Sequence, residues 1–203
     1  MARIDDYSKA LEIAKKELSA RDPLRICRLS GALYEKGAPD VIKLTFLNRI
    51  IAISWPDLAF HQDSNGEIPI QQKILVLHYL IGSGKEELTG ELIAFQDILS
   101  AKFYLDAFNR RIKYPLINAF GKQPEKFILS AKKLFGAAPS SVGAFSADIR
   151  ALPKIPITLA IWKGDEEFPP DGTVLFDSSI KNMLSAEDIV VLAGMVVYPL
   201  LKK

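Results

Sequence analysis

The densest polar stretch of this 203-residue chain is Trp162-Lys163-Gly164-Asp165-Glu166-Glu167-Phe168-Pro169-Pro170, followed a short way on by Asp177. Asp165, Glu166, Glu167 and Asp177 carry the oxygen ligands that a hard cation such as Mg²⁺ or Ca²⁺ prefers. Two of them would also serve as an acid–base pair if one were desolvated. Against a dedicated cation loop stands the spacing, because such loops alternate Asp or Asn ligands around a glycine. A charged hairpin tip that discourages edge-to-edge strand pairing accounts for the same residues. The flanking Trp162 and Phe168 favour a packed loop of defined shape.

A second cluster is cationic. Arg110 and Arg111 stand at the end of a helical stretch with Lys102 and Lys113 nearby, and guanidinium forks match carboxylate or phosphate groups. Complementing a helix C-terminus and pairing with surface carboxylates is the plainer use of the same charges. Tyr104 and Trp162 are the aromatic residues expected to wall an anion cleft built on this pair. His78, a further ligand-binding candidate, lies in an apolar helix, where the plainer reading is a half-buried ring hydrogen-bonded to a neighbour; His61 is expected to be exposed in a polar loop. Glu187 and Asp188 fall in the first turn of the last helix, where they cap free amides and complement the dipole.

Several familiar arrangements are missing. Gly82-Ser83-Gly84-Lys85 lacks the spacing of a phosphate loop and follows a helix instead of a strand. There is no Gly-x-Gly-x-x-Gly, Gly-x-Ser-x-Gly or His-Glu-x-x-His. The single cysteine, Cys27, forms no internal disulfide and cannot supply the four thiolates an iron–sulfur cluster commonly takes. Two histidines leave little material for zinc.

Composition bounds the rest. The chain is 49% hydrophobic and 25% charged, the balance of a globular protein. With Lys+Arg 26 against Asp+Glu 24, the net charge is +2, and no basic block offers a nucleic-acid or anionic-membrane footprint. The charged start from Met1 to Asp6 does not read as a signal peptide. The longest apolar run, Ile189 to Leu201, is interrupted by Gly194 and Pro199 and falls short of the ~20 residues a bilayer span needs. The expected compartment is the cytoplasm.

Periodicity places these residues on elements. Apolar positions predict a helix from Ile4 to about Ser19, and Asp22-Pro23 caps a short second helix ending at Ser30-Gly31. Ile42 to Phe46 and Ile50 to Ser54 read as strands joined by a turn at Leu47-Asn48-Arg49. Residues 55–68, including Trp55-Pro56 and Asp63-Ser64-Asn65-Gly66, read as loop. Pro69 opens a helix through Ile81. Ser100 to Ile112 reads as a helix with Phe103, Ala107 and Phe108 on one side, restarted at Pro115 and ended at Gly121. A further helix runs from Pro124 to about Phe135, and residues 136–143 form a connector. Phe145–Leu152, Ile155–Trp162 and Thr173–Asp177 are strands, the middle one dense enough for an inner position. Ser185 and Asp188 form a variant capping box before the final helix.

The expected fold is therefore α+β: one domain over residues 1–203, an antiparallel or mixed sheet with helices packed on it. Residues 41–82 and 157–198 share the order strand, turn, strand, loop, capped helix, a possible degenerate ββα repeat.

Leu77 to Leu80, Phe103-Tyr104 with Ala107-Phe108 and Arg111, Ala151 to Pro153, the string from Trp162 to Pro170, Leu175 to Asp177 and Glu187-Asp188 together resemble the prokaryotic domain-of-unknown-function family numbered 3786. The resemblance spans nearly the whole chain, and its specific part is the C-terminal string. It implies a family found mainly in anaerobic bacteria and archaea, some members of which are fused to a cysteine-rich iron–sulfur module. This chain has no such module, so a redox-cluster role would belong to a partner protein. The expected function is a non-enzymatic accessory protein of anaerobic metabolism that binds a small anionic ligand, a cofactor or a partner. The alternatives are a divalent-metal-assisted enzyme using the acidic loop 165–177, and a structural subunit docking through residues 164–172.

Overall fold

A computed structural model describes residues 4–62, 66–84 and 86–202. The loop residues Asp63, Ser64 and Asn65, the lysine of the Gly-Ser-Gly-Lys string (Lys85) and the start of the N-terminal segment read above lie outside the described residues. The chain is α+β, with two antiparallel sheets instead of one. Its contacts gather into two compact units. The first holds residues up to Glu87 with 152–154 and 182–184, and the second holds 88–151, 155–181 and 185–203.

In the first unit, helix α1 (Ile4–Ser19) leads to α2 (Pro23–Ser30). The Asp22 carboxylate accepts from the Leu24 amide, Pro23 occupies the first helical position, and Gly31 closes the helix at φ 73°. These are the start and stop signals that the sequence displays. Strands β1 (Leu33–Glu35), β2 (Asp40–Phe46), β3 (Arg49–Trp55) and β4 (Phe60–Gln62) follow in spatial order as a meander. The β2–β3 turn has two residues, Leu47 and Asn48, at φ 48° and 63°. That pair of positive φ values belongs to the hairpin turn whose twist matches the strands. Arg49 is therefore a strand residue paired with Phe46. Strand β4 lies inside the segment expected to be loop, and its three residues are too few to show a period of two. Helix α3 (Ile70–Gly82) packs along α1 and buries Ile74, Leu75, Val76, Leu77, Tyr79 and Leu80, as a helix apolar nearly all round must.

The second unit is built on a five-stranded sheet of order β5-β9-β8-β7-β6. Its strands are β5 (Leu92–Ala94), β6 (Ala138–Pro139), β7 (Phe145–Leu152), β8 (Ile155–Trp162) and β9 (Asp171–Asp177). The inner place of β8 accords with its dense run of β-branched and apolar residues, Thr158 among them. The helical centre differs from the single amphipathic helix expected. It comprises 3₁₀ segments at Phe95–Asp97 and Leu99–Tyr104, the short α4 (Leu105–Phe108), a π-helical turn at Asn109–Lys113, and α5 (Tyr114–Phe120). Phe103 consequently is 97% exposed, while Phe108 is buried and stacks on Phe95 at 4.2 Å between ring centres. Pro115 sits one residue into α5 without interrupting the run, because first-turn amides need no intrahelical acceptor. Helices α6 (Pro124–Phe135), α7 (Ile180–Met183) and α8 (Ala186–Leu201) complete the chain. Ser185 and Asp188 form the expected capping box of α8. No described helix is long and apolar enough to cross a membrane.

Candidate functional site

The π-helical turn arranges the candidate site. Its i→i+5 closure adds about one residue to the turn relative to an α-helix, and such turns recur at functional sites. Lys113 and Tyr114 straddle the point one π turn beyond Asn109, so all three line the same cleft. Facing them are Trp162, the last residue of β8, and Asp171 to Val174 at the start of β9. Phe95 and Phe108 contribute the apolar floor. The cleft encloses about 330 Å³, near the lower end of small-molecule pockets.

Two aromatic rings stay available at its rim, Trp162 being 43% and Tyr114 51% exposed. Gly143 backs one edge of the indole, since a Cβ there would stand 3.5 Å from Nε1. The charged lining is one pair, Lys113 Nζ 3.3 Å from Asp171 Oδ1. That contact occupies one of the three ammonium donors and leaves the others for a ligand. The lining holds no histidine, cysteine or serine among the described residues; its reactive side chains are Lys113, Tyr114, Asp171 and Thr173, with Lys113 and Asp171 paired to each other.

Of the site candidates read from sequence, Trp162 lines the cleft, together with Lys113 and Phe108, which the sequence marks only as neighbours on the helical stretch. Arg110 is exposed and donates to Asp106 four residues back, and Arg111 is exposed on the same π turn. Tyr104 closes the second 3₁₀ segment outside the cleft lining. His78 sits half-buried on α3, in the first unit. His61 is exposed as expected but lies on β4, where its Nε2 is 2.8 Å from Ser54 Oγ. It makes no ion pair with a carboxylate among the described residues.

The four acidic residues do not converge. Asp165 folds back on its own loop, its Oδ1 accepting from the amides of Glu167 at 2.9 Å and Phe168 at 2.7 Å. Hydrogen bonds from the Phe168 and Glu167 amides hold its carboxyl below the usual range. Glu166 and Glu167 project exposed from the loop. Asp177 is buried at the opposite end of β9, which at ~3.3 Å per residue is roughly 20 Å along the strand. Its Oδ1 accepts from the amide and hydroxyl of Thr89, both at 3.1 Å, and from the Ser179 amide at 3.0 Å and hydroxyl at 2.6 Å. Its Oδ2 accepts from the Gly90 amide at 2.7 Å. Burial pushes this carboxyl up, but the donors from Ser179, Thr89 and Gly90 prevail and bring it to about 2. It is a bracket that joins the end of β9 to the segment entering β5. Among the described residues, no group of three or more His, Cys, Asp or Glu side chains is placed to hold a metal ion.

Sequence reasoning missed Asn109, Tyr114 and Asp171, and noted Lys113 only as a neighbour of the arginines. The available signal was Pro115 directly after a Lys-Tyr pair, which marks an irregular helical turn without giving its register. No curated protein and no solved structure matches the chain. The string that ends β8 and begins β9 is also where the sequence is most distinctive, and it falls within residues 22–198, which match the model of the domain of unknown function DUF3786, so the chain belongs to that family.

Proposed function

We propose that this chain is a non-enzymatic binding protein whose second unit takes a small, flat, anionic ligand in the Trp162 cleft. The observation that carries this reading is the meeting of Trp162 with Lys113 and Tyr114 across one small cleft. Exposed rings supply stacking faces at low conformational cost, and the ammonium, already oriented by Asp171, supplies the charge for a carboxylate or phosphate.

The setting suggested by the family resemblance, cytoplasmic anaerobic metabolism with an iron–sulfur protein as a possible partner, belongs to the same proposal. A cluster in this setting would be held by the partner, because the single Cys27 cannot supply the four thiolates such a cluster commonly takes.

The test is a fluorescence titration in a Trp55→Phe background, which leaves Trp162 as the only indole. Planar aromatic carboxylates such as nicotinate should quench it, and Lys113→Met should weaken binding at least tenfold. A Trp162 signal that no planar anion moves, or one that moves equally in Lys113→Met, would remove the proposal.

A further inference from the structure

Arg21 and Arg25 stand at the corner where α1 gives way to α2, and both line a cavity of about 420 Å³ in the first unit. The facing wall is the end of α3, with Leu80, Ile81, Ser83 and Gly84. Arg21 is held in place from two sides. Its Nη1 donates to the Ile81 carbonyl and its Nη2 to Glu17 Oε1, each at 2.6 Å. A guanidinium has five N–H donors, so these bonds orient the group and leave others free. Arg25 makes no ion pair among the described residues.

The lining carries one carboxylate, Asp22, and its Oδ1 accepts from the Leu24 amide as the cap of α2. Glu17 answers Arg21 and Asp22 is engaged as the helix cap, so Arg25 is the lining cation that no carboxylate pairs with among the described residues. The interior is apolar, with Ile26, Leu29 and Leu80. Gly84 at φ 92° lets the backbone close against Leu29, since a Cβ there would lie 2.6 Å from Leu29 Cδ1. That close approach explains why the segment after α3 carries a glycine at this position.

We propose that this cavity is a second ligand site, for a small monoanionic organic acid. The acid group sits on Arg25 with the spare donors of Arg21, and the apolar body rests on Ile26, Leu29 and Leu80. A charge alone does not fill such a site, and an apolar body alone leaves Arg25 without a carboxylate. The inference does not depend on the Trp162 cleft.

Isothermal titration of the full chain with phenylacetate, phenylacetamide and inorganic phosphate separates the contributions. Phenylacetate should bind, with phenylacetamide and phosphate each at least tenfold weaker. Arg25→Ala should lose at least tenfold in phenylacetate affinity with its far-UV circular dichroism unchanged, and Arg25→Lys should keep part of it. All titrations are run in a Trp162→Ala background, which removes the cleft's stacking face, so failure here and failure of the cleft are read separately. The site is overturned by no phenylacetate binding at millimolar concentration in that background, by equal binding of the amide or of phosphate, or by indifference to both Arg25 variants.

Discussion

Replacing Asp177 by Asn changes one oxygen to an amide nitrogen in a buried place where every contact is a donor. The new –NH₂ must face either the Gly90 amide or the four donors from Thr89 and Ser179, so at least one donor loses its acceptor. The charge that made these bonds strong is also lost. The carboxyl lies at about 2 in the folded chain against an ordinary 3.8, and at 1.36 kcal/mol per pKa unit that difference is worth about 2 kcal/mol. The unpaired donor adds about 1 kcal/mol, for a total near 3 kcal/mol at pH 7. Because the folded value is the lower one, this stabilisation is complete above the unfolded value and disappears as pH falls towards 2. The gap between wild type and Asp177→Asn should therefore be widest at neutral pH and narrow below pH 4. Urea unfolding in a Trp55→Phe background, read on Trp162 in the same unit, measures it at each pH. If Asp177 were instead a ligand in a repulsive acidic cluster, the Asn variant would be neutral or stabilised in metal-free buffer. That outcome, or a gap independent of pH, would refute the bracket.

Gly82→Ala should destabilise by about 3 kcal/mol or more, because its Cβ would lie 1.9 Å from the Met183 carbonyl oxygen and backbone must move; the thermal midpoint reads it. Tyr79→Phe should cost about 1–3 kcal/mol, since the buried hydroxyl donates to the Ser30 carbonyl at 2.5 Å and accepts from the Lys154 amide at 3.1 Å. Cys27, buried and raised to about 11, should resist a maleimide at pH 8 until urea opens the chain. Asp165→Asn combined with Glu167→Gln should leave the melting temperature equally unresponsive to Mg²⁺, Mn²⁺ and Ca²⁺; a cation-dependent rise lost in the double variant would restore the metal-assisted alternative.

Local chemistry made much of the fold readable. The Asp22-Pro23 start, the Ser185–Asp188 box and Gly136 at φ 62° after α6 fix helix ends through contacts within a few residues. Strands of seven or eight residues, such as β2 and β8, declared themselves by alternation or by a dense β-branched and apolar run. Strands β1, β4, β5 and β6 have three residues or fewer, and pairing with a neighbour defines them more than their own pattern does. The stretch from Leu99 to Lys113 failed for a different reason. A 3₁₀ segment, one α turn and a π turn in succession rotate side chains by unequal steps, so no single period describes it. Phe103 then faces solvent and Lys113 enters the cleft.

The sites show the same division. Trp162 drew notice because it heads a distinctive string, but its partners come from a helical turn with a hidden register. The brackets on Asp177 come from Thr89 and Gly90, far back in the chain, and local sequence could not distinguish a capped carboxylate from a metal ligand.

The central claim is that the Trp162 cleft receives a ligand, and amide correlation spectra of the ¹⁵N-labelled full chain recorded with and without nicotinate test it most directly. The account predicts that the shifted signals concentrate at Asn109, Lys113, Tyr114, the Trp162 indole N–H and Asp171 to Thr173. Shifts confined to other residues, or none at saturating nicotinate and across further planar anions, would contradict it.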